Sequence, residues 1–506
     1  MASRTHNFIR GLGAGYLATA INIAYTAASI PLALHYLGKE QFGLWALAQQ
    51  ITGYLILLDL GVSSAVSRFI ADRKDDVNGG GYGSLLLTGA IVFAIQGVLI
   101  AIAGVAFSFF APTLFAVPDH LAGDFTNVLI IITFLTGLSV ALRTLGAPLW
   151  AFQRIDVSYG LGSLTLLTSF AALWAGFHLG WGIYSFALAG IPAAILGPMI
   201  TFLICWKSGF YPSAGHFGRP NLLLFRKIFS FGQDVVWVSI GSQLVNASQI
   251  MILSRAVGLN AAATFAIGTK LFTMGQQLTG RIIESSAPGL TEMFVRGDTA
   301  RFNLRFSHII SITAFLATLG AVGLIAGNTT FVSFWSSGTI CWNLAFDGLL
   351  AGLLISTSIT RCLITVFGLM LGYRPVRHIY LLEGCVFLAV AIPAAAQYGI
   401  MGVLAASLIV HLTVTGVLSF CAVRKVLGLT NNIIRPSVVA AAIAVSVFML
   451  SFTLGKMGFS PISMLFWGGI VVSLAAVSGW FYVFSASLRA DCLAKLSSLL
   501  GRSDSL

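Results

Sequence analysis

Apolar and polar positions in this chain fall in long blocks. Runs of about 20 apolar residues, enough to cross a bilayer as a helix, end at short polar breaks from one terminus to the other. The breaks mark off spans at 11–36, 43–69, 84–110, 126–149, 157–178, 182–206, 232–256, 260–286, 306–326, 344–371, 378–397, 399–422, 437–456 and 461–486. Only Tyr398-Gly399-Ile400 and its neighbours separate 378–397 from 399–422. The expected fold is all-α, a polytopic integral membrane protein with about 14 transmembrane helices. The basic N-terminus leads into a first run too long for a cleaved signal and reads as a retained span.

The breaks carry charge in alternation. One set holds Arg4/Arg10, Arg73/Lys74, Arg154, Lys207/Arg219/Arg226/Lys227, Arg296/Arg301/Arg305, Arg374/Arg377, Arg424/Lys425/Arg435 and Arg489/Lys495/Arg502; the other holds only Lys39, Arg255 and Lys456. The positive-inside rule places the first set, and both termini, in the cytoplasm. The largest polar segment, 207–234, is then cytoplasmic, and Asn221–Ser230 within it has the pattern of an interfacial amphipathic helix.

A shift of about 220 residues superposes the chain weakly on itself, as parallel repeats do. Gly38 and KEQFGLWALAQQ fall on Gly258 and LNAAATFAIGTK, Thr26 on Asn246, Ser29 on Gln249, and Arg154 on Arg374, with Arg143 near Arg361. The expected division is an N-lobe of six spans at 1–206, a linker with the amphipathic helix at 207–231, a C-lobe of six spans at 232–425, and two further spans with a cytoplasmic tail at 426–506.

Composition agrees. The chain is 57% apolar and 9% charged, far below the quarter charged usual for soluble domains. Its +12 charge is spread thinly over loops, as a topology signal is, and does not point to nucleic acid. Six cysteines lack metal spacing. No HExxH, GxSxG or P-loop occurs, so neither catalytic residues, metal nor cofactor are expected, and the chain reads as a non-enzyme.

Polar residues inside the apolar runs are the candidate chemistry. In span eight, Lys270, Gln277, Arg281 and Glu284 fall within roughly 60° of one helical face. A lysine near mid-bilayer costs about 2.5–3.5 kcal/mol to insert, so it should face a cavity. Asn22 with Thr19, Thr26 and Ser29 shares a face of span one; Gln243 and Asn246 share one of span seven. These line a cavity or bond neighbouring helices. Arg143 and Arg361 line a cavity or reach to the cytoplasmic headgroups. Asp59, a lone carboxylate in span two, and Arg68 nine positions on point to opposite sides. Asp59, Arg68 and Glu284 are assigned gating or structural roles. Glu383 is expected at the interface, and His411 as packed or interfacial.

The stretch LGKEQFGLWALAQQITGYLILLDLGVSSAVSRFIA resembles the first-loop and second-span signature of polysaccharide-export proteins. These are the O-antigen and exopolysaccharide flippases of the multidrug/oligosaccharidyl-lipid/polysaccharide (MOP) superfamily. The resemblance rests on Gly38 with Phe42-Gly43-Leu44-Trp45, on Leu58-Asp59-Leu60-Gly61, on Arg68 and on the 221–232 lead into the second lobe. It implies two six-helix lobes about a cavity of alternating access. It also implies a polyprenyl-diphosphate-linked oligosaccharide turned from the cytoplasmic to the outer leaflet of the bacterial inner membrane. Cationic residues hold the diphosphate, a role that falls here to Lys270, Arg281, Arg143 and Arg361, with Gln277, Asn246, Gln243 and Asn22 suited to sugar. The implied partners are membrane lipids, a polysaccharide polymerase and chain-length machinery. Flippases of the peptidoglycan precursor carry more arginines early in the first lobe, where this chain has none in span one beyond Arg10. A drug or small-cation antiporter of the same superfamily is the alternative, but it would prefer acidic cavity residues. A membrane polymerase or ligase would need a sizeable outer loop, which the pattern lacks.

Overall fold

The computed structural model describes residues 2–55, 57, 62–152, 154–371, 373–427, 431–456, 461–484 and 488–490. Among these residues every regular element is helical. The chain divides into two compact units, Met1–Ala263 and Thr264–Leu506.

In order, the helices of the first unit are α1 (Ala2–Tyr36), α2 (Lys39–Leu55), α3 (Val62–Ala71), α4 (Gly81–Leu114), α5 (Asp119–Ala141), α6 (Ala147–Ala151), α7 (Ile155–His178), α8 (Tyr184–Leu188), α9 (Gly197–Lys207), α10 (Leu222–Asn246) and α11 (Ser248–Ala256). The unit boundary falls inside α12 (Leu259–Gly268). The second unit continues with α13 (Lys270–Val295), α14 (Thr299–Trp335), α15 (Leu344–Leu371), α16 (Tyr373–Val410), a π turn at His411–Gly416, α17 (Val417–Leu427), α18 (Asn431–Lys456) and α19 (Pro461–Tyr482).

Among the described residues, nine helical stretches are long and apolar enough to cross a membrane. One of them, Arg374–Lys425, has 52 residues, more than twice the roughly 20 that one crossing needs. It breaks at Gly399, whose φ of 56° and ψ of −131° no helix accommodates. This is the position where the sequence pattern separates two spans. The expected spans 43–69 and 260–286 are each carried by two helices, α2 with α3 and α12 with α13.

Small residues let these helices approach closely, the usual solution where lipid removes the hydrophobic drive for association. In the first unit, a Cβ on Gly97 of α4 would collide with the Gly137 carbonyl of α5, and one on Gly137 with the Gly97 carbonyl. The opposite side of α4 exposes Ile91, Ile95, Leu99 and Ile102, a liability in water and a natural surface in hydrocarbon. The core of the second unit is likewise built on alanines: Ala314, Ala317 and Ala321 of α14, Ala351 of α15, Ala440 and Ala444 of α18, and Ala475 of α19.

The family-like stretch shows the same logic. A Cβ on Gly43 would collide with the Leu259 carbonyl, so glycine is required where α2 crosses the start of α12 within the first unit. Trp45 stacks on Phe186 with ring centroids 4.5 Å apart. The segment read as an interfacial helix is not separate: it runs unbroken into span seven as α10, with the Asn221 side chain accepting from Leu223 N–H at 2.8 Å.

Candidate functional site

In the first unit the polar site is built where α5 ends. Pro148 has no N–H to continue the helical ladder and restricts the residue before it. The chain takes one 3₁₀ turn, Arg143–Gly146, before the short helix α6. Such a turn inside a span often marks a functional hinge. Tyr211, in the loop after α9, fixes this turn by donating to the Leu145 carbonyl at 2.7 Å. Burial pushes the Tyr211 phenol far above its ordinary range, with Cys205 adding to the shift, so it remains a donor.

Arg143, at the head of the turn, donates to Ser63 Oγ of α3 at 2.8 Å. It lines a cavity of about 630 Å³ with six hydroxyl side chains, Ser63, Ser67, Ser139, Ser158, Thr165 and Thr201, and with Trp150. Among the described residues that line it, none is acidic. The volume is in the usual range for a ligand pocket.

In the second unit the polar site lies on α13 and α15. Glu284 is shared by two guanidinium groups. Arg361 Nη2 of α15 donates to Glu284 Oε1 at 3.0 Å, and Arg281 Nη1, one turn away on α13, lies 3.4 Å from Glu284 Oε2. Gly280 makes room, since a Cβ there would sit 2.5 Å from Arg361 Nη1. Beside the cluster Gln276 donates to Thr357 at 3.1 Å, and the Thr279 and Ser358 hydroxyls lie 2.9 Å apart. All three charged side chains are about half exposed. The cluster has one more positive than negative group.

Lys270 is the first residue of α13, after a one-residue break at Thr269. Its side chain is partly buried, and among the described residues its ammonium has no hydrogen-bond or ion-pair partner. Gln277, on the same face, is exposed. The four-residue stripe expected over 270–284 therefore lies on one continuous helix, and the structure adds Arg361 to its lower half.

Other expected residues are placed differently. Gln243 is used between helices, its Nε2 donating to the Gly53 carbonyl at 3.3 Å while its own carbonyl accepts from Tyr54. Asn246 donates to Ser242 of its own helix at 3.0 Å, and Asn22 is exposed on α1. Asp59 and the rest of Leu58–Gly61 lie outside the described residues, as does the side chain of Arg68.

Two buried groups were not visible as sites in the sequence. Asp347, fully buried, accepts from Asn328 Nδ2, Thr329 Oγ1 and Trp342 Nε1, each at 2.6 Å. Asn328 Nδ2 also donates to the Gly268 carbonyl at 3.0 Å, tying the clamp to the end of α12. Trp342 is therefore a buried donor. Glu383 is 4% exposed and bonded to His411, so it is not interfacial as its position near a span end suggests. Each partner lies on a different element or loop, so no local spacing reveals either group.

These features meet what comparison with known proteins finds. A family model described as polysaccharide biosynthesis protein matches residues 12–294, more than half of the chain. The chain belongs to that family. The match agrees with the polysaccharide-export signature read from the opening hairpin. The chain is 22% identical over 502 residues to the uncharacterized membrane protein EpsK of Bacillus subtilis (strain 168), covering 96% of this chain and 95% of EpsK. Its fold is that of MOP-superfamily proteins. It superposes on the lipid II flippase MurJ, in an inward closed conformation, with TM-score 0.67 at 14% identity over 93% of this chain and 98% of MurJ. It superposes on an inward-facing multidrug resistance MATE family transporter of the MOP superfamily with TM-score 0.66 at 14% identity, over 80% of this chain and 94% of the transporter.

Proposed function

We propose that this member of the polysaccharide biosynthesis family turns a polyprenyl-diphosphate-linked oligosaccharide from the cytoplasmic to the outer leaflet of the inner membrane, by alternating access, for cell-surface polysaccharide. The observation that carries the reading is the α13–α15 cluster: two guanidinium groups share one carboxylate, and on the same helix Lys270 has no partner among the described residues.

A diphosphate cannot cross about 30 Å of hydrocarbon unaided, because each buried ion meets a penalty of several kcal/mol. Arg281, Arg361 and Lys270 offset that penalty, and Glu284 holds the guanidinium pair in place until phosphate oxygens compete for it. Arg143 and its hydroxyl-lined cavity extend the same chemistry to the first unit. Gln277 and Asn22, both exposed, suit sugar hydroxyls, whereas Gln243 and Asn246 contribute more to helix packing. Weak, distributed contacts allow release. Two lobes of six spans with two spans after them, both termini cytoplasmic, and association with a polymerase and chain-length machinery complete the proposal. The cationic excess argues against an antiporter of cationic drugs, which would favour acidic residues.

The test is a vesicle assay with a fluorescent lipid-linked oligosaccharide. Leaflet exchange should exceed that of protein-free vesicles and fall when Lys270 is replaced by Gln. Exchange equal to the protein-free rate would overturn the reading, and an unchanged Lys270→Gln rate would remove that residue from the site.

A further inference from the structure

Glu383 and His411 are buried ionisable groups in the apolar interior of the second unit, and the diphosphate chemistry above does not use them. Glu383 is 4% and His411 8% exposed. Glu383 Oε1 lies 2.6 Å from His411 Nδ1, and His411 Nε2 lies 2.8 Å from Thr360 Oγ1 of α15. Ionisable groups within membrane spans are costly and tend to be retained for function, proton relays among them.

The geometry fixes one proton of the pair and leaves a second free to come and go. A carboxylate oxygen and a ring nitrogen at 2.6 Å cannot face each other with lone pairs alone, so one proton lies between them. With Nε2 bare and accepting from the Thr360 hydroxyl, the pair then carries a buried net negative charge, at a penalty of several kcal/mol. A second proton, on Nε2 and donated to Thr360 Oγ1, makes the pair neutral overall, whether written as carboxylate and imidazolium or as acid and imidazole. That second proton can therefore leave only when the site is hydrated or another cation comes close. Each turn of such a cycle binds and releases one proton, with no other bond made or broken.

The surroundings allow the pair to move and give it something to act on. His411 opens the π turn His411–Gly416, an irregularity frequent at functional sites. In the same turn the Thr415 hydroxyl is buried without a partner among the described residues. Leu412, Gly416 and Thr360 border an apolar cavity of about 670 Å³, which gives the turn room to rearrange. Thr360 is followed in α15 by Arg361, whose guanidinium holds Glu284. One residue step on α15 therefore links the Glu383–His411 pair to the α13–α15 cation cluster.

The other charged groups leave the pair room to respond. From α15 the charge nearest to Thr360 is Arg361. On α16, Tyr380 lies in the field of both Glu383 and Arg361, and Arg374, Arg377 and His378 are confined to the first turns. Of the basic residues on α17, which also contacts the π turn, Arg424 and Lys425 lie in its last turn.

We propose that the Glu383–His411 pair is a proton-binding site whose loading and unloading is transmitted through Thr360 to Arg361, so that movement of the anionic substrate one way is exchanged for a proton moving the other. This rests on the transport reading above.

The test uses the full chain in two measurements. The first is flipping of the fluorescent lipid-linked oligosaccharide in proteoliposomes, with and without a one-unit pH difference, a tenfold proton ratio. Wild type should respond to the gradient by up to about tenfold. Glu383→Gln and His411→Gln, which preserve a hydrogen bond, should flip at a residual rate indifferent to it. The second is the ¹⁵N side-chain signal of His411 in nanodiscs, assigned by its loss in His411→Gln, over about pH 5–8, where imidazole changes charge. It should respond to pH in wild type and respond differently in Glu383→Gln. Wild-type flipping that ignores the gradient, variants that keep the full response, or a His411 signal identical in wild type and Glu383→Gln would overturn the proposal. A pH-responsive His411 signal with no flipping in any form would overturn the transport reading and the exchange built on it, leaving the proton site alone.

Discussion

The cavity behind Arg143 in the first unit and the cavity bordered by Ile355 and Val445 in the second are nearly the same size, about 630 and 670 Å³. Their walls are opposite. The first presents a guanidinium and six hydroxyls; the second, among the described residues, presents only Ser356 and Thr360 between aliphatic and aromatic side chains. Cavity size alone therefore says little about use. What differs is where each unit keeps its charge. The first opens Arg143 into its cavity. The second buries Asp347 on three donors and presents the Arg281–Glu284–Arg361 cluster along α13 and α15. A buried carboxylate supplied with donors as Asp347 is serves to hold structure, whereas a guanidinium bordering a hydroxyl-lined cavity suits an anionic ligand.

The largest effect expected from this contrast lies in the second unit. Asp347→Ala removes the acceptor of three donors, and with charged hydrogen bonds worth about 1.5–3 kcal/mol each, thermal denaturation should register a loss of several kcal/mol. A melting curve like wild type would mean that the buried carboxylate does not hold structure.

Next is a matched pair of aspartates. Ile355→Asp places a carboxylate in the apolar wall and should cost about 2.5–3.5 kcal/mol. Ser63→Asp places one beside Arg143, which in wild type donates to Ser63 Oγ at 2.8 Å, and should be much better tolerated. Equal losses of stability in the two variants would erase the distinction between the cavities.

Smaller still is the effect on transport of Arg143→Gln and Arg361→Gln. Each should lower the flipping rate by about tenfold, about 1.4 kcal/mol, with folding retained by the criterion of size-exclusion behaviour. If Arg361→Gln reduces flipping and Arg143→Gln does not, the diphosphate is held by the second unit alone. At the bottom of the scale Ser356→Val should change stability by no more than about 0.5 kcal/mol and leave flipping intact; a strong transport defect would mean that the apolar cavity needs its hydroxyl.

Much of this arrangement was legible in the chain. The Lys270–Glu284 stripe lies on one helix, as its spacing predicts, and the break at Tyr398-Gly399 is where two spans part. Arg361 could be named as a candidate but not joined to Glu284, because 77 residues separate them. Glu383 was misplaced at the interface because its position near a span end was visible and its partner, 28 residues on, was not. Gln243 could serve equally as cavity lining or as glue between helices until its contact with Gly53 distinguished the two.

The sequence by itself determined the helical class, the membrane setting, the family signature at Phe42–Trp45 and the helical face that carries Lys270. Those properties follow from local periodicity and from the cost of polar groups in lipid, which act residue by residue along the chain. Only the tertiary structure decided that Gly43 serves a backbone crossing, that Glu284 is shared between Arg281 and Arg361, and that Glu383 meets His411. Each of those depends on which helix faces are brought together, and helix periodicity fixes a face without fixing its neighbour.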